Sequence, residues 1–343
     1  MNVINNIRQL RSWSSINRGT RCVFVPTMGA LHEGHAALIR AARELAGQSG
    51  NVAVSIFVNP LQFGPNEDFS KYPRTLVEDL AICRDNGADA IFAPKAEELY
   101  LPDRSIQLFE TSLSKTLCGA SRPGHFDGVC TVVAKLFNLV QCDEAVFGKK
   151  DYQQLAIIRR MVRDLDYNII IHGIDTIREP DGLAMSSRNR YLTPDERAQA
   201  PVLRAALLKA REAYIKGGER DGKMLRQMIL DQIAAEAPLG RVDYIEVVDA
   251  ATLQTPTEAT QLVAIAVAVF FGSARLIDNI ELNFRHQVAQ HYKLCVPVTF
   301  GKHRIKVCKH IKIGNQRVAG IHIQVIAATP EKRFFIGHNF NAA

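Results

Sequence analysis

Cys22-Val23-Phe24-Val25-Pro26-Thr27-Met28-Gly29-Ala30-Leu31-His32-Glu33-Gly34-His35 is the stretch whose reading decides the fold. Cys22 to Val25 is a short apolar run. After it, Leu38, Ile39, Ala42 and Leu45 recur at helical spacing. His32 and His35 therefore stand where a strand turns into a helix. Unpaired backbone N–H groups and the positive end of the dipole meet at such a start, which suits phosphate. Two imidazoles three residues apart add donors for the same anion. A zinc protease needs His-Glu-x-x-His, with histidines four apart, so this spacing excludes it.

Further strands read at 52–58, 90–93, 143–147 and 168–174, and helices near 35–47, 74–86, 128–141 and 152–165. The strands are near-continuous apolar runs, as expected when both faces are covered. The alternation predicts an α/β fold, a Rossmann-like doubly wound parallel sheet whose ligands bind beyond the carboxyl ends of the strands. From about residue 184 the pattern changes. Helices over 194–216 and 221–236 are followed by strands at 242–248 and 262–271. Thr193-Pro194 supplies a cap and a first-turn proline, and Gly217-Gly218 an end. The expected organisation is a nucleotide- and substrate-binding domain over 1–183, a smaller α+β lid domain over 184–282, and a basic extension of unassigned structure over 283–343.

The 343 residues suffice for more than one domain. Met1 to Arg8 lacks a continuous apolar stretch, so no signal peptide is expected, and Leu262 to Phe271 is too short to span a bilayer. Seven scattered cysteines without a Cys-x-x-Cys pair favour reduced thiols and a cytoplasmic location. The net charge of +7 is uneven. Residues 283–343 hold ten Lys or Arg against the single acid Glu331, a net +9, and leave −2 on the rest. Charge therefore argues for polyanion binding only through the extension.

Four other loops carry candidate chemistry. Asn59 and Gln62 place amides just past a strand, although taken alone an Asn-Pro turn is the favoured explanation. Gly148-Lys149-Lys150-Asp151 precedes a helix and offers cations to a phosphate, or forms a solvated turn. Asp181 to Asn189 contains Met185, Ser186, Ser187 and Arg188, suited to a mobile clamp on a polyphosphate. Cys118 to Gly128 is a glycine-rich loop in which Arg122 and His125 are candidates to reach a substrate.

Taken in order, these motifs resemble one family, the pantothenate synthetases or pantoate–β-alanine ligases. The resemblance rests on residues 26–35, 57–63, 72–75 (Tyr-Pro-Arg-Thr), 122–129, 148–154, 181–189 and 275–279 (Arg-Leu-Ile-Asp-Asn), and covers about 1–282. It implies an ATP-dependent condensation of pantoate with β-alanine through a pantoyl adenylate, releasing pyrophosphate and then AMP. By this resemblance His35, His32 and Lys150 are catalytic, and His35 is the proton donor. ATP is assigned to Met28, Gly29, Ala30, Leu31, His32, Glu33, Gly34, His35, Gly148, Lys149, Lys150, Asp151, Ile177, Met185, Ser186, Ser187 and Arg188. Gln62 and Gln154 are assigned to pantoate. Mg²⁺ is expected with ATP, with Asp79 as a candidate ligand, and a homodimer is expected.

The extension matches nothing in that family. His303 to Ile313 alternates imperfectly, which fits a basic β-ribbon or a cationic tail open to RNA or an acidic partner. Two other readings remain at this stage: a nucleotidylyltransferase with a different acceptor, and an RNA- or partner-binding protein acting through the extension. Pantoate-dependent pyrophosphate exchange discriminates among the three.

Overall fold

The computed structural model describes residues 1–283 except 66, 68, 258, 259 and 261, and, beyond them, the backbone of four strands. The chain divides into two compact units, Met1–Leu282 and Asn283–Ala343.

The first unit begins β1 (Asn2–Ile4), α1 (Ile7–Ile16), β2 (Cys22–Thr27), α2 (Glu33–Ala46), β3 (Asn51–Ile56), α3 (Leu76–Asp85) and β4 (Ala90–Phe92). It continues α4 (Ala96–Leu99), α5 (Leu117–Ser121), α6 (His125–Val140), β5 (Glu144–Gly148), α7 (Tyr152–Asp164) and β6 (Ile170–Ile174). The six strands form one parallel sheet in the order β1-β4-β3-β2-β5-β6. Side chains alternate between two covered faces. Phe24, Ala53, Phe92 and Ala145 join a cluster with α6 and α7, whereas Val23, Val25, Val52, Val54 and Val146 pack with Ile39 and Ala42 of α2. That two-sided burial is why these strands read as apolar runs. The strand order reverses between β2 and β5, so a crevice opens at their carboxyl ends. The turns Met28–Leu31 and Lys149–Asp151 lie there.

The rest of this unit holds α8 (Pro194–Gln199), α9 (Val202–Ile215), α10 (Gly222–Glu236), β7 (Gly240–Asp249), β8 (Leu262–Phe271) and β9 (Ala274–Asn283). A three-stranded sheet, β7-β8-β9, packs against α9 and α10 through Leu203, Leu207, Ile229, Ile265 and Val267. Two differences from the sequence reading have physical reasons. The helix expected over 194–216 breaks at Ala200-Pro201, because proline lacks the N–H to continue it. Strand β9 does not follow from the sequence pattern: Ala274, Leu276, Ile280 and Leu282 are buried at period two, but Asp278 holds the same buried face and interrupts the apolar alternation. Strand β1 and helix α1 are likewise additions to that reading. Thr193 caps α8 in a capping box with Glu196, in keeping with its position before Pro194.

In the second unit, β10 (His291–Phe300), β11 (His303–Lys312), β12 (Ile321–Thr329) and β13 (Lys332–Phe340) form an antiparallel four-stranded sheet in sequence order. Cys295 registers with Cys308, and Val325 with Ile336. The ribbon expected over His303 to Ile313 is the strand β11, with Ile313 outside the described residues.

Candidate active site

The β2–α2 turn is held from below. Gly29 and Ala30 both adopt left-handed backbone, at φ 79° and 49°. The carboxylate of Asp79 accepts from Ala30 N at 3.0 Å, Leu31 N at 2.8 Å and Thr75 Oγ1 at 3.2 Å. Asp79 is 1% exposed. Its oxygens are committed to this turn, which corrects its candidacy as a metal ligand.

His32 is the N-cap of α2. Its Nδ1 accepts from Gly34 N at 3.1 Å, and His35 Nδ1 accepts from His32 N at 3.3 Å, which completes a capping box. Both bonds require an unprotonated Nδ1, so each neutral ring carries its proton on Nε2. The ring centroids are 4.2 Å apart. Burial, then the charges of Lys150 and Arg190, pulls the His32 pKa down to about 4. Burial, His32 and Lys150 pull His35 to about 3. Both rings line the cleft as neutral N–H donors at pH 7. Gly34 is obligatory for the cap, because a Cβ there would lie 2.8 Å from His32 Cε1 and 2.9 Å from Nδ1.

At the end of β5 the two lysines part company. Lys150 lines the cleft and donates to Met185 O at 2.9 Å. Burial, with Arg188 adding repulsion, lowers its pKa. Lys149 instead pairs with Asp175 at 2.8 Å and Glu281 at 3.5 Å. Asn279 Nδ2 holds this loop by donating to Lys149 O and Lys150 O at 2.9 Å each. The two glutamines that follow also divide. Both line the cleft, but Gln153 is buried and its amide is bonded to Leu113 O, Thr116 O and Gly119 N.

Behind Met28, Gln62 Nε2 donates to Met28 Sδ at 2.9 Å and Gln62 Oε1 accepts from Asn59 Nδ2 at 3.1 Å. Below them, Arg122 grips Glu67 through Nε at 2.6 Å and Nη2 at 2.5 Å. Burial opposes ionisation of Glu67, yet the Arg122 hydrogen bond and charge hold its pKa below the ordinary value. His125 Nδ1 donates to Gln62 O at 2.8 Å and its Nε2 accepts from Arg122 Nη1 at 3.1 Å, the only roles a carbonyl and a guanidinium permit. Burial and Arg122 lower the His125 pKa to about 4.

The opposite wall is the loop 181–189. Arg178 bridges Asp278 with both nitrogens, at 2.7 and 2.8 Å, and reaches Gly182 O at 3.0 Å. Ile177 O accepts from Met185 N at 3.0 Å. Ser186 caps a 3-10 turn over Ser187–Tyr191.

These walls enclose a cleft of about 860 Å³. Of the residues singled out from sequence, Met28, His32, His35, Lys150, Asp151, Gln154, Ser186, Ser187, Arg188, Arg122 and His125 line it. Gly29, Ala30, Leu31, Glu33, Gly34, Gly148, Lys149, Ile177, Met185 and Gln62 are not among the residues that line it. Sequence reasoning missed Glu67 and, on β7 and β8, Arg241, Asp243, Tyr244 and Phe270. Arg275, known only as part of a motif, grips Asp243 at 2.7 Å, and Arg241 stacks 4.4 Å from the Phe270 ring centroid. Alternation along β7 was the available signal for Arg241 and Asp243.

Comparison with known proteins gives one consistent result. Residues 2–281 match the family model described as pantoate-beta-alanine ligase. A pantothenate synthetase of Akkermansia muciniphila is 55% identical over 260 residues, 76% of this chain and 92% of that protein. One from Heliobacterium modesticaldum is 51% identical over 281 residues, 81% of this chain and 98% of that protein. The crystal structure of pantothenate synthetase from Thermus thermophilus superposes with a TM-score of 0.75 at 44% identity, covering 82% of this chain and 99% of that one. Pantoate-beta-alanine ligase from Francisella tularensis, complexed with beta-gamma ATP and beta-alanine, gives 0.66 at 32% identity over 82% and 97%.

Proposed function

This chain belongs to the pantoate-beta-alanine ligase family, and we propose that its cleft carries out that ligase reaction with the roles derived below. It condenses pantoate with β-alanine at the expense of ATP. In the first step a pantoate carboxylate oxygen attacks the α-phosphorus, the bond to the bridging oxygen breaks, and pyrophosphate leaves. In the second, the β-alanine amine attacks the acyl carbon of the pantoyl adenylate. The acyl–phosphate ester bond breaks, AMP departs, and the nitrogen sheds its proton as the amide forms.

The observation that carries this reading is the pair of neutral imidazoles at the sheet's switch point, beside a lysine without a carboxylate partner among the described residues. Two anions must meet in the first step. His32 and His35, as Nε2–H donors, stabilise oxygens whose charge grows at the phosphorus, and Lys150 offsets the total charge. Their low pKa values make both rings hydrogen-bond donors rather than acids in this cleft. Ser186, Ser187 and Arg188 close on the leaving phosphates. Gln154 and Gln62 hold pantoate, which requires the Met28 thioether to move off the Gln62 amide. Holding the carboxylate against phosphorus is worth roughly 7–11 kcal/mol in well-oriented systems.

Mg²⁺ fits this cleft as part of the nucleotide substrate. Glu67, Asp243 and Asp278 are each paired with an arginine, which leaves Asp151 as the lining carboxylate free to meet the ion through water. Bound there, the ion would screen the β- and γ-phosphates. A homodimer remains part of the proposal, with the exposed apolar side chains Leu101, Ile106 and Phe109 of one connecting segment as candidates for its interface. Buried free thiols at Cys22, Cys83, Cys130 and Cys142 favour a reducing, cytoplasmic setting. Among the described residues no helix is long and apolar enough to cross a membrane.

The test is pyrophosphate exchange into ATP, which should require pantoate. His35→Gln keeps a capping-box acceptor for His32 N, so the fold should survive while exchange falls about 10²–10³-fold. Exchange without pantoate, or an undiminished variant, would overturn the assignment.

A further inference from the structure

We propose that Tyr100 is a positioning residue for pantoate: it anchors Asn59, whose amide sets which end of the Gln62 amide is turned toward Met28. The proposal rests on the reading of Gln62 as a pantoate contact. Tyr100 follows α4 and donates its hydroxyl to Asn59 Oδ1 at 2.8 Å. Asn59 is 1% exposed, and two backbone groups leave its amide a single orientation. Leu61 N–H can only donate, and reaches Oδ1 at 3.3 Å. Gly128 C=O can only accept, and takes Nδ2 at 3.0 Å. The remaining hydrogen on Nδ2 goes to Gln62 Oε1 at 3.1 Å.

A flipped Gln62 would set two NH₂ groups against each other, so the observed orientation holds. Its Nε2 then faces Met28, which lines the cleft. A pantoate carboxylate or hydroxyl oxygen brings lone pairs, and an NH₂ donor is what receives them. Tyr100 is suited to the far end of this relay. Burial pushes its pKa well above the ordinary phenol value, so the hydroxyl keeps its proton. Its ring is held independently by Phe57, at 6.0 Å between centroids, and by Arg104 and Lys135 over its face. Removing the oxygen alone therefore removes a donor and leaves the packing.

The experiment compares Tyr100→Phe, Asn59→Asp and Gln62→Ala in the full chain. For Tyr100→Phe, the KM for pantoate should rise about three- to tenfold, the factor of one neutral hydrogen bond. Its KM for ATP, kcat and melting temperature should stay near the wild-type values. Asn59→Asp replaces the donor facing Gln62 by an acceptor and draws the Gln62 NH₂ inward, so its pantoate KM should rise further. If Gln62→Ala raises the pantoate KM and Tyr100→Phe does not, the relay is overturned. Equal rises for pantoate and ATP in Tyr100→Phe also overturn it. If Gln62→Ala itself leaves the pantoate KM unchanged, the assignment of Gln62 falls, and the relay with it.

Discussion

Gly34→Ala separates the stability of the β2–α2 turn from its chemistry. The added methyl would sit 2.8 Å from His32 Cε1 and 2.9 Å from Nδ1, so the ring must leave its capping position. The cap bond from Gly34 N, 3.1 Å long, is then lost. Losing an N-cap costs about 1 kcal/mol. Alanine in place of glycine in a helix returns up to about 1 kcal/mol. Net stability should thus change by less than about 1 kcal/mol, or less than about 2 °C in melting temperature for a chain of this size. Adenylation should suffer far more, because the freed ring loses both its place and the bond that fixes its tautomer. One oriented donor lost from such a site costs about 3–4 kcal/mol, a factor of 10²–10³. Single-turnover formation of pantoyl adenylate is the assay, with a melt alongside. A double-mutant cycle sharpens it: once His32→Ala has removed the ring, adding Gly34→Ala should cost nothing further. A Gly34→Ala rate near that of the wild type, or additive losses in the cycle, would refute the reasoning.

Gln154→Ala should raise the pantoate KM well above any change for ATP, since of the two glutamines lining the cleft Gln153 is spent on backbone groups; steady-state kinetics with each substrate varied would reveal the opposite split. The pH profile of single-turnover adenylation should show no histidine inflection near 6.5, because His32 and His35 stay neutral down to about 4 and 3. The same depressed values make stability fall with acidification: all of it is present above the unfolded value of 6.5, and it is lost as pH drops through that window toward 4 and 3. Denaturant melts between pH 8 and about 4 test this, and stability that increased on acidification would contradict it. A chain truncated after Leu282 should fold and remain active, because the first compact unit ends there and the family match ends at residue 281. It should also lose any salt-sensitive affinity for RNA, having shed a net charge of +9. Insoluble or inactive truncated protein would show that the extension belongs to the fold.

The sheet was legible in the sequence because strands buried on both faces spell near-continuous apolar runs, as Val52–Ile56, broken only by Ser55, and Ala145–Phe147 do. Strand β9 was not, because Asp278 occupies a buried position only by virtue of Arg178, a hundred residues away in sequence. The same limit divides the site. A turn between a strand and a helix places His32 and His35 by local rules, and both line the cleft. Neighbouring residues of one type, by contrast, are sorted by tertiary partners that no spacing reveals. Lys149 goes to Asp175 and Glu281 while Lys150 enters the cleft, and Gln153 braces a loop while Gln154 stays available.

Asp79 shows how such sorting misleads. A carboxylate near a phosphate site invites a metal, and only the approach of α3 to the turn reveals that its charge is already balanced by the N–H groups of Ala30 and Leu31. Those N–H groups are thereby turned down into the protein, away from any phosphate. On the proposed reading the turn would meet its anion chiefly through side chains, the two imidazoles and Lys150. Both imidazoles are fixed as donors by backbone N–H bonds to Nδ1, so the backbone acts on the anion at one remove: it sets the tautomers, and the tautomers supply the donors.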